Sequence, residues 1–272
     1  MIKDKIREFA KTLGIDKIGF SSNSVVALFP YYVKEESGNI SMYARSIDYH
    51  IVGEEKLREL GGFLETLGAT EILVHVDKGG LNDRKAAYDA GLGFVGKNGM
   101  LINEDYGSYF FIGQVVHDLG IEADMPLSQT CLSCGACLRY CPGGALNSKG
   151  FDIEKCLSEI SQKKGELSDN EKNLLKANGL CWGCDVCQVV CPHNEELETT
   201  AMEEFMSDRV KSLCLEDVKN LSNREFKENF GKYAFSWRGK APLERNLRIL
   251  FEKKYPSPSF YDKNDISPKG RG

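Results

Sequence analysis

Nowhere among the 272 residues does an apolar run approach the roughly 18 residues that a membrane-crossing helix needs. The opening stretch, MIKDKIREFAKTLGIDKIGF, carries charges throughout and lacks the apolar centre of an export signal. GKNG at 96–99 is too short to be a phosphate loop, which needs a longer glycine frame ending in Lys-Ser or Lys-Thr. His117 and His193 have no partner at metal-ligand spacing. These absences lead to the expectation of a soluble cytoplasmic protein with no membrane partner. In that setting the ten cysteines are not a disulfide framework, and tight Cys clusters in a chain this long read as metal ligands.

Hydrophobic residues make up 42% of the chain, enough for one large core or two smaller ones. The net charge of -5 is uneven. Residues 205–254 hold twelve basic and seven acidic side chains, so the remainder is strongly acidic. A basic segment of this kind suits an anionic partner or a solvated helical surface.

Two blocks share one spacing, CLSCGACLRYCP at 131–142 and CWGCDVCQVVCP at 181–192. Each is C-x2-C-x2-C-x3-C-P, the bacterial ferredoxin pattern for a [4Fe–4S] cluster. Three thiolates at two-residue gaps wrap one cubane, and the fourth, ahead of proline, reaches the other. Cys131, Cys134, Cys137 and Cys191 then hold one cluster, and Cys141, Cys184 and Cys187 belong to the second. Spacing alone gives Cys181 as its fourth ligand, with Cys156, between the blocks, as a rival. Structural zinc prefers two well-separated Cys pairs and fits neither copy. The repeat implies a pseudo-twofold unit. Cys214 reads as an inert thiol.

Before the blocks, the patterning predicts a helix over 2–13, strands at DKIGF and SVVALFPYY, and a long helix stopping at Gly68. A strand EILVHVD ending at Asp77, a helix in LNDRKAAYDAGLG and an aromatic, β-branched strand over 108–116 follow. This alternation predicts an α+β domain over 1–126. A dicluster domain over 127–200, a helical segment over 201–255 and a polar, disordered tail over 256–272 complete the division.

Taken together, ALFPYY, YARSIDYH, VDKGGLNDRKAAYDAGLGFVGKN, YGSYFFIGQVVHDL, CLSCGACLRYCPGGAL, KCLSEISQKKGEL, WGCDVCQVVCPHN and LSNREFKENFGKYAFSWRGKAPLERN resemble, in order, the cobalamin-dependent epoxyqueuosine reductases. The resemblance implies a nitroreductase-like cobalamin-binding domain followed by a ferredoxin-like domain with two [4Fe–4S] clusters and a helical C-terminal segment. It implies reductive removal of the epoxide oxygen of epoxyqueuosine in tRNA, fed by an external low-potential donor of ferredoxin or flavodoxin type. The family's second block lacks its first thiol and uses a cysteine between the blocks, which corresponds to Cys156. Asp77 corresponds to the family's proton donor, and burial beside the corrin is expected to raise its pKa. Cobalamin contacts fall on Tyr43, Asp48, Tyr49, His50, Gly96, Lys97, Asn98, Ser108 and Tyr109. His75 reads as a strand residue, and Asp83 and Asp89 as helix caps or surface charges.

The chain departs from the family in two places. Only a few residues separate DKIGF from SVVALFPYY, where the family has several dozen, and the HEAT-like repeats that often follow PLERNLRIL are missing. Arg224, Lys227, Lys232, Arg238, Lys240 and Arg245, with Trp237 beside Arg238, then become the candidates for RNA contact or for a packed helical layer. A corrinoid iron–sulfur reductase with another substrate, and a dicluster electron carrier, are the alternative functions.

Overall fold

The computed structural model describes residues 1–77 and 80–251. Lys78, Gly79 and residues 252–272 lie outside it, and with them the expected tail over 256–272 and the last turn of the expected helix to 255. In chain order the elements are α1 (Ile2–Thr12), β1 (Lys17–Phe20), β2 (Ser24–Pro30), α2 (Tyr49–Thr66), β3 (Ile72–His75) and α3 (Asp83–Asp89). Then come β4 (Phe94–Val95), β5 (Leu101–Ile102), β6 (Phe110–His117), α4 (Ala136–Arg139), β7 (Leu146–Asn147) and β8 (Gly150–Phe151). The remainder is helical: α5 (Leu157–Gln162), α6 (Asp169–Asn178), α7 (Val186–Val189), α8 (Glu203–Met206), α9 (Asn223–Phe230) and α10 (Lys240–Phe251). No helix among the described residues is long and apolar enough to cross a membrane. The fold is α+β.

The chain divides into two compact units that interleave along the sequence. The first consists of Met1–Val33, Asp48–Cys134 and His193–Met206; the second takes Lys34–Ile47, Gly135–Pro192 and the described residues from Ser207 onward.

In the first unit an antiparallel sheet of order β1-β2-β6-β3 lies between helices. Six of the seven residues of β2, SVVALFP, are buried, as its nearly continuous apolar run requires of a strand covered on both faces. One face takes α2. The approach is close enough that a Cβ on Gly113 of β6 would lie 2.6 Å from Leu57 Cδ1 of α2. The other face packs Val26, Leu28 and Phe110 against Ala87, Ala90, Leu92 and Leu101. Asp48 caps α2, its carboxylate accepting from the His50 N–H at 3.0 Å.

Two strand ends differ from the sequence expectation. β3 stops at His75 rather than Asp77, because Asp77 has a left-handed backbone (φ 47°) that cannot continue the pleat. β6 starts at Phe110 rather than Ser108, because Asn194 holds Ser108 and the Tyr109 N–H closes a turn on the Tyr106 carbonyl.

The second unit has a helical core. Leu157, Ile160, Leu167, Leu175 and Ile249, from α5, α6, α10 and the connecting loop, pack together. Residues 34–47 are stitched into this unit. Asn39 donates to the Leu213 carbonyl (2.7 Å) and accepts the Leu213 N–H (3.0 Å), and the Glu35 carboxylate sits between the buried Arg45 and Arg209 guanidiniums (2.9 and 2.6 Å). Burial alone would raise the Glu35 pKa, but hydrogen bonds and charge from Arg209 and Arg45 outweigh it and hold the carboxyl below its usual value. The expected helical segment over 201–255 is, among its described residues, built of several short helices. Ser222 starts α9 with a capping box to Glu225, and Gly239 turns left-handed (φ 80°) before α10.

Candidate functional site

The cysteine repeat survives in the backbone. Ser133 and Gly183, one residue before the second Cys of each block, are both left-handed (φ 56° and 71°). The third Cys of each block, Cys137 and Cys187, lies in a one-turn helix, α4 or α7. In the second unit these two turns meet through Ala136, Val186 and Val190, with Cys184 at the edge. Ala136 and Val186 hold equivalent places in the two blocks.

Five thiols of the second unit adjoin. Burial, reinforced by the charge of Asp185 and then of Cys156, Cys141 and Cys137, pushes the Cys187 thiol up to about 12. Burial likewise raises Cys184, which feels Asp185, Cys187 and Cys156. Such thiols stay protonated until a cation displaces the proton. Among the described residues no three His, Cys, Asp or Glu side chains are grouped to hold a single metal ion. The adjoining thiols instead have the chemistry of a cubane's donor set, which is spread around a larger body. Cys191 in the second unit is half-buried; Cys131 (half-buried) and Cys134 (exposed) belong to the first.

Cys181 stands apart. It has no accessible surface, its N–H donates to the Asn39 carbonyl at 2.7 Å, and its Sγ lies 3.4 Å from Asn39 Oδ1. Burial raises its pKa, and no other thiol acts on it. Cys156, at the joint between a short 3₁₀ turn and α5, acts on both Cys184 and Cys187. Between the two rivals, the thiol that joins the group is Cys156.

In the first unit the expected acid is found at the end of β3. Asp77 is exposed. The Tyr49 hydroxyl donates to Asp77 Oδ2 at 2.6 Å. The Tyr49 ring is itself fixed, stacked on Phe111 (4.1 Å between centroids, 8° between planes) and on His50 (4.2 Å). His50 Nδ1 pairs with Asp48 Oδ1 at 2.8 Å. Asp48, Tyr49, His50 and Asp77 are thus brought together.

The other expected cofactor contacts are placed differently. Ser108 and Tyr109 are buried, Ser108 exchanging hydrogen bonds with Asn194 (2.7 and 2.9 Å) and Tyr109 packing on Tyr31 and Tyr32. Gly96, Lys97 and Asn98 form the turn of the β4–β5 hairpin. Gly96 and Asn98 are buried, Lys97 is exposed, and Asn98 Oδ1 accepts the Met100 N–H at 3.1 Å. Tyr43 belongs to the second unit, where its hydroxyl accepts from Trp182 Nε1 at 3.1 Å.

Much of the expected basic surface is already paired. Arg224 binds Glu228, Lys232 binds Asp208, Lys240 binds Glu244, and Arg245 donates to the Lys163 and Gly165 carbonyls. Trp237 is 58% exposed, with the Arg238 guanidinium 3.8 Å from its ring centroid.

Sequence reasoning passed over Asp83. Far from being a surface charge, it is a nearly buried carboxylate between His75, Gln114 and the Asp77 backbone. The available signal was Gln114, a lone amide inside the apolar run of β6.

Comparison with known proteins places these features in a family context. Residues 15–78 match the family described as epoxyqueuosine reductase QueG, DUF1730, and residues 130–194 match the 4Fe-4S double cluster binding domain. The chain is 38% identical over 243 residues to an epoxyqueuosine reductase of Lactococcus garvieae, covering 88% of this chain and 68% of that one. It is 32% identical over 300 residues to the epoxyqueuosine reductase of Bacillus subtilis, covering 90% and 77%. A crystal structure of epoxyqueuosine reductase with a tRNA-Tyr epoxyqueuosine-modified stem loop superposes with a TM-score of 0.83 at 30% identity, covering 92% of this chain and 80% of the other.

Proposed function

The chain belongs to the epoxyqueuosine reductase family, and on that footing we propose that it removes the epoxide oxygen of epoxyqueuosine in tRNA. The reduction takes two electrons and two protons and yields queuosine and water. One observation carries this reading: the match to the Lactococcus relative spans 88% of the chain, so Asp77 and both cysteine blocks fall inside it. The solved relative with a modified tRNA stem loop supports the choice of substrate.

We assign two [4Fe–4S] clusters to Cys131, Cys134, Cys137 and Cys191, and to Cys141, Cys156, Cys184 and Cys187. The double-cluster match and the mutual proximity of Cys137, Cys141, Cys156, Cys184 and Cys187 support the assignment. The first unit is proposed as the nitroreductase-like, cobalamin-binding part. Its half-buried Tyr49–His50 stack, edged by Asp48 and Asp77, offers aromatic surface and hydrogen-bonding groups that suit a broad macrocycle with amide arms. Gly96, Lys97 and Asn98 shape a neighbouring turn of that unit, and the buried Ser108 and Tyr109 serve as its floor. Tyr43 completes the proposed contacts. When bound, cobalamin would supply a strongly reducing centre for the epoxide, with the two clusters as the relay from a ferredoxin- or flavodoxin-like donor.

The protein's own part in the chemistry is proton delivery. Asp77 gives a proton to the epoxide oxygen as its C–O bond breaks, which spares the departing group a full negative charge. Tyr49 fixes the carboxyl through Oδ2 and leaves Oδ1 to face the oxygen. Because Asp77 is exposed, water can reprotonate it within a turnover, so that the second proton needed to release the oxygen as water also reaches the site, and again between turnovers. The test is conversion of epoxyqueuosine-containing tRNA by anaerobically reconstituted protein with cobalamin and a strong reductant. Queuosine in the tRNA is expected; no turnover with clusters and cobalamin in place refutes the proposal.

A further inference from the structure

Asp83 opens α3, and its carboxylate receives three donors from three directions. His75 Nδ1 lies 2.9 Å from Oδ1, Gln114 Nε2 lies 2.6 Å from the same oxygen, and the Asp77 backbone N–H donates to Oδ2 at 3.2 Å. His75 and Gln114 are directly opposite each other on β3 and β6, so both side chains leave the same face of the sheet. The amide of Gln114 is oriented from behind. Ser24 Oγ donates to its Oε1 at 3.1 Å, which turns the NH2 group toward Asp83, and Ser21 Oγ lies 2.6 Å from Ser24 Oγ.

This network has an unsatisfied end. His75 is 7% exposed, and with Nδ1 engaged by Asp83 its Nε2 is buried with no hydrogen-bond partner among the described residues. A buried orphan is a cost that folded proteins ordinarily avoid. Here it is tolerated because the ring is turned to meet the carboxylate.

We propose that Asp83 is the positioning residue of the proton donor: through the Asp77 N–H it holds the left-handed turn that aims the Asp77 carboxyl, and His75, Gln114, Ser24 and Ser21 keep Asp83 in place. The observation behind this is the backbone itself. Asp77 has φ 47°, a left-handed conformation uncommon outside glycine; Asp can adopt it, and neighbouring contacts fix it in one place. Two contacts do so from opposite ends of the residue, Tyr49 on the side chain and Asp83 on the N–H. The inference rests on Asp77 being the acid of the proposed reaction.

The test uses the reconstituted holoprotein and two readouts, turnover of the modified tRNA and hydrogen exchange of the peptide bearing the Asp77 amide. Asp83→Asn keeps the shape but sets an NH2 group against at least one of the donors. It is expected to lower kcat by about 10- to 100-fold with little change in KM, as small misplacements of a catalytic group do. Exchange at the Asp77 amide should accelerate. In an Asp77→Asn background, followed by single turnover, Asp83→Asn should cost nothing further, because the group it aims is already gone. Should Asp83→Asn not fold, Gln114→Met removes one donor without touching the carboxylate and is read in the same two ways. An additive loss in the Asp77→Asn background, or unchanged exchange at Asp77, overturns the proposal. If the wild-type protein does not turn over the tRNA, the proposed function fails, and the exchange measurement still decides whether Asp83 holds the turn.

Discussion

Cys156 and Cys181 make opposite predictions for one measurement. Intact protein with two [4Fe–4S] clusters contains about eight irons per chain. Replacing Cys156 with alanine removes a proposed ligand that acts on both Cys184 and Cys187, so anaerobic reconstitution should leave about four irons and one cluster signal in the reduced spectrum. Burial does not decide which of the two thiols is a ligand, since Cys187 is raised by burial too and is still a proposed ligand. Their neighbours separate them. Cys181 faces Asn39, while Cys156 faces other thiols. Cys181→Ala should therefore keep about eight irons. Its cost is a small loss of packing, about 1 kcal/mol. Asn39 Oδ1 also accepts the Leu213 N–H at 3.0 Å, so no buried acceptor is orphaned by the change. Iron and sulfide analysis with electron paramagnetic resonance on both variants decides the matter. A Cys181→Ala protein with about half its iron, beside a fully loaded Cys156→Ala protein, would refute the assignment.

Tyr49→Phe keeps the stack on Phe111 but deletes the hydroxyl that fixes Asp77, and kcat on modified tRNA should fall about tenfold, the scale of one hydrogen bond to a charged group. Glu35→Gln strips the buried Arg45 and Arg209 of their common anion and should cost about 3–5 kcal/mol in denaturant unfolding. Because the folded pKa of Glu35 lies below its ordinary value of 4.5, its contribution is present above that pH and is lost as pH falls through the folded value. Acid unfolding curves of wild type and Glu35→Gln should therefore converge at low pH. Gly113→Ala pushes a methyl toward Leu57 Cδ1 and should destabilise by about 1–3 kcal/mol, read from the shift in urea midpoint. Trp237→Ala should weaken stem-loop binding by about 1–3 kcal/mol if the exposed ring stacks on a base, while iron content stays constant.

How much of this was legible depended on whether a signal was local. The apolar run of β2 and the stop of α2 near Gly68 depend on adjacent residues and are found where the sequence puts them. The duplicated cysteine spacing is likewise local, and the matched left-handed residues Ser133 and Gly183 bear its imprint. What escaped was long-range. Asp83 looks like an ordinary helix-start acid until β3 and β6 bring His75 and Gln114 to it. The ferredoxin spacing nominates Cys181, and only Asn39, 142 residues earlier, shows why that thiol is engaged elsewhere. The basic segment was countable, but whether a lysine is free or paired is a property of neighbours that composition does not record.

The interleaving of the two units dictates an order of events during synthesis. Residues 34–47 leave the ribosome long before Leu213 and Arg209, the groups that seat them, and the sheet unit waits for Asn194 and Phe205 to finish Ser108 and Phe111. Neither half can close until the segments after the second cysteine block have emerged. A translation stop shortly after the second cysteine block would leave both halves unfinished rather than one half complete.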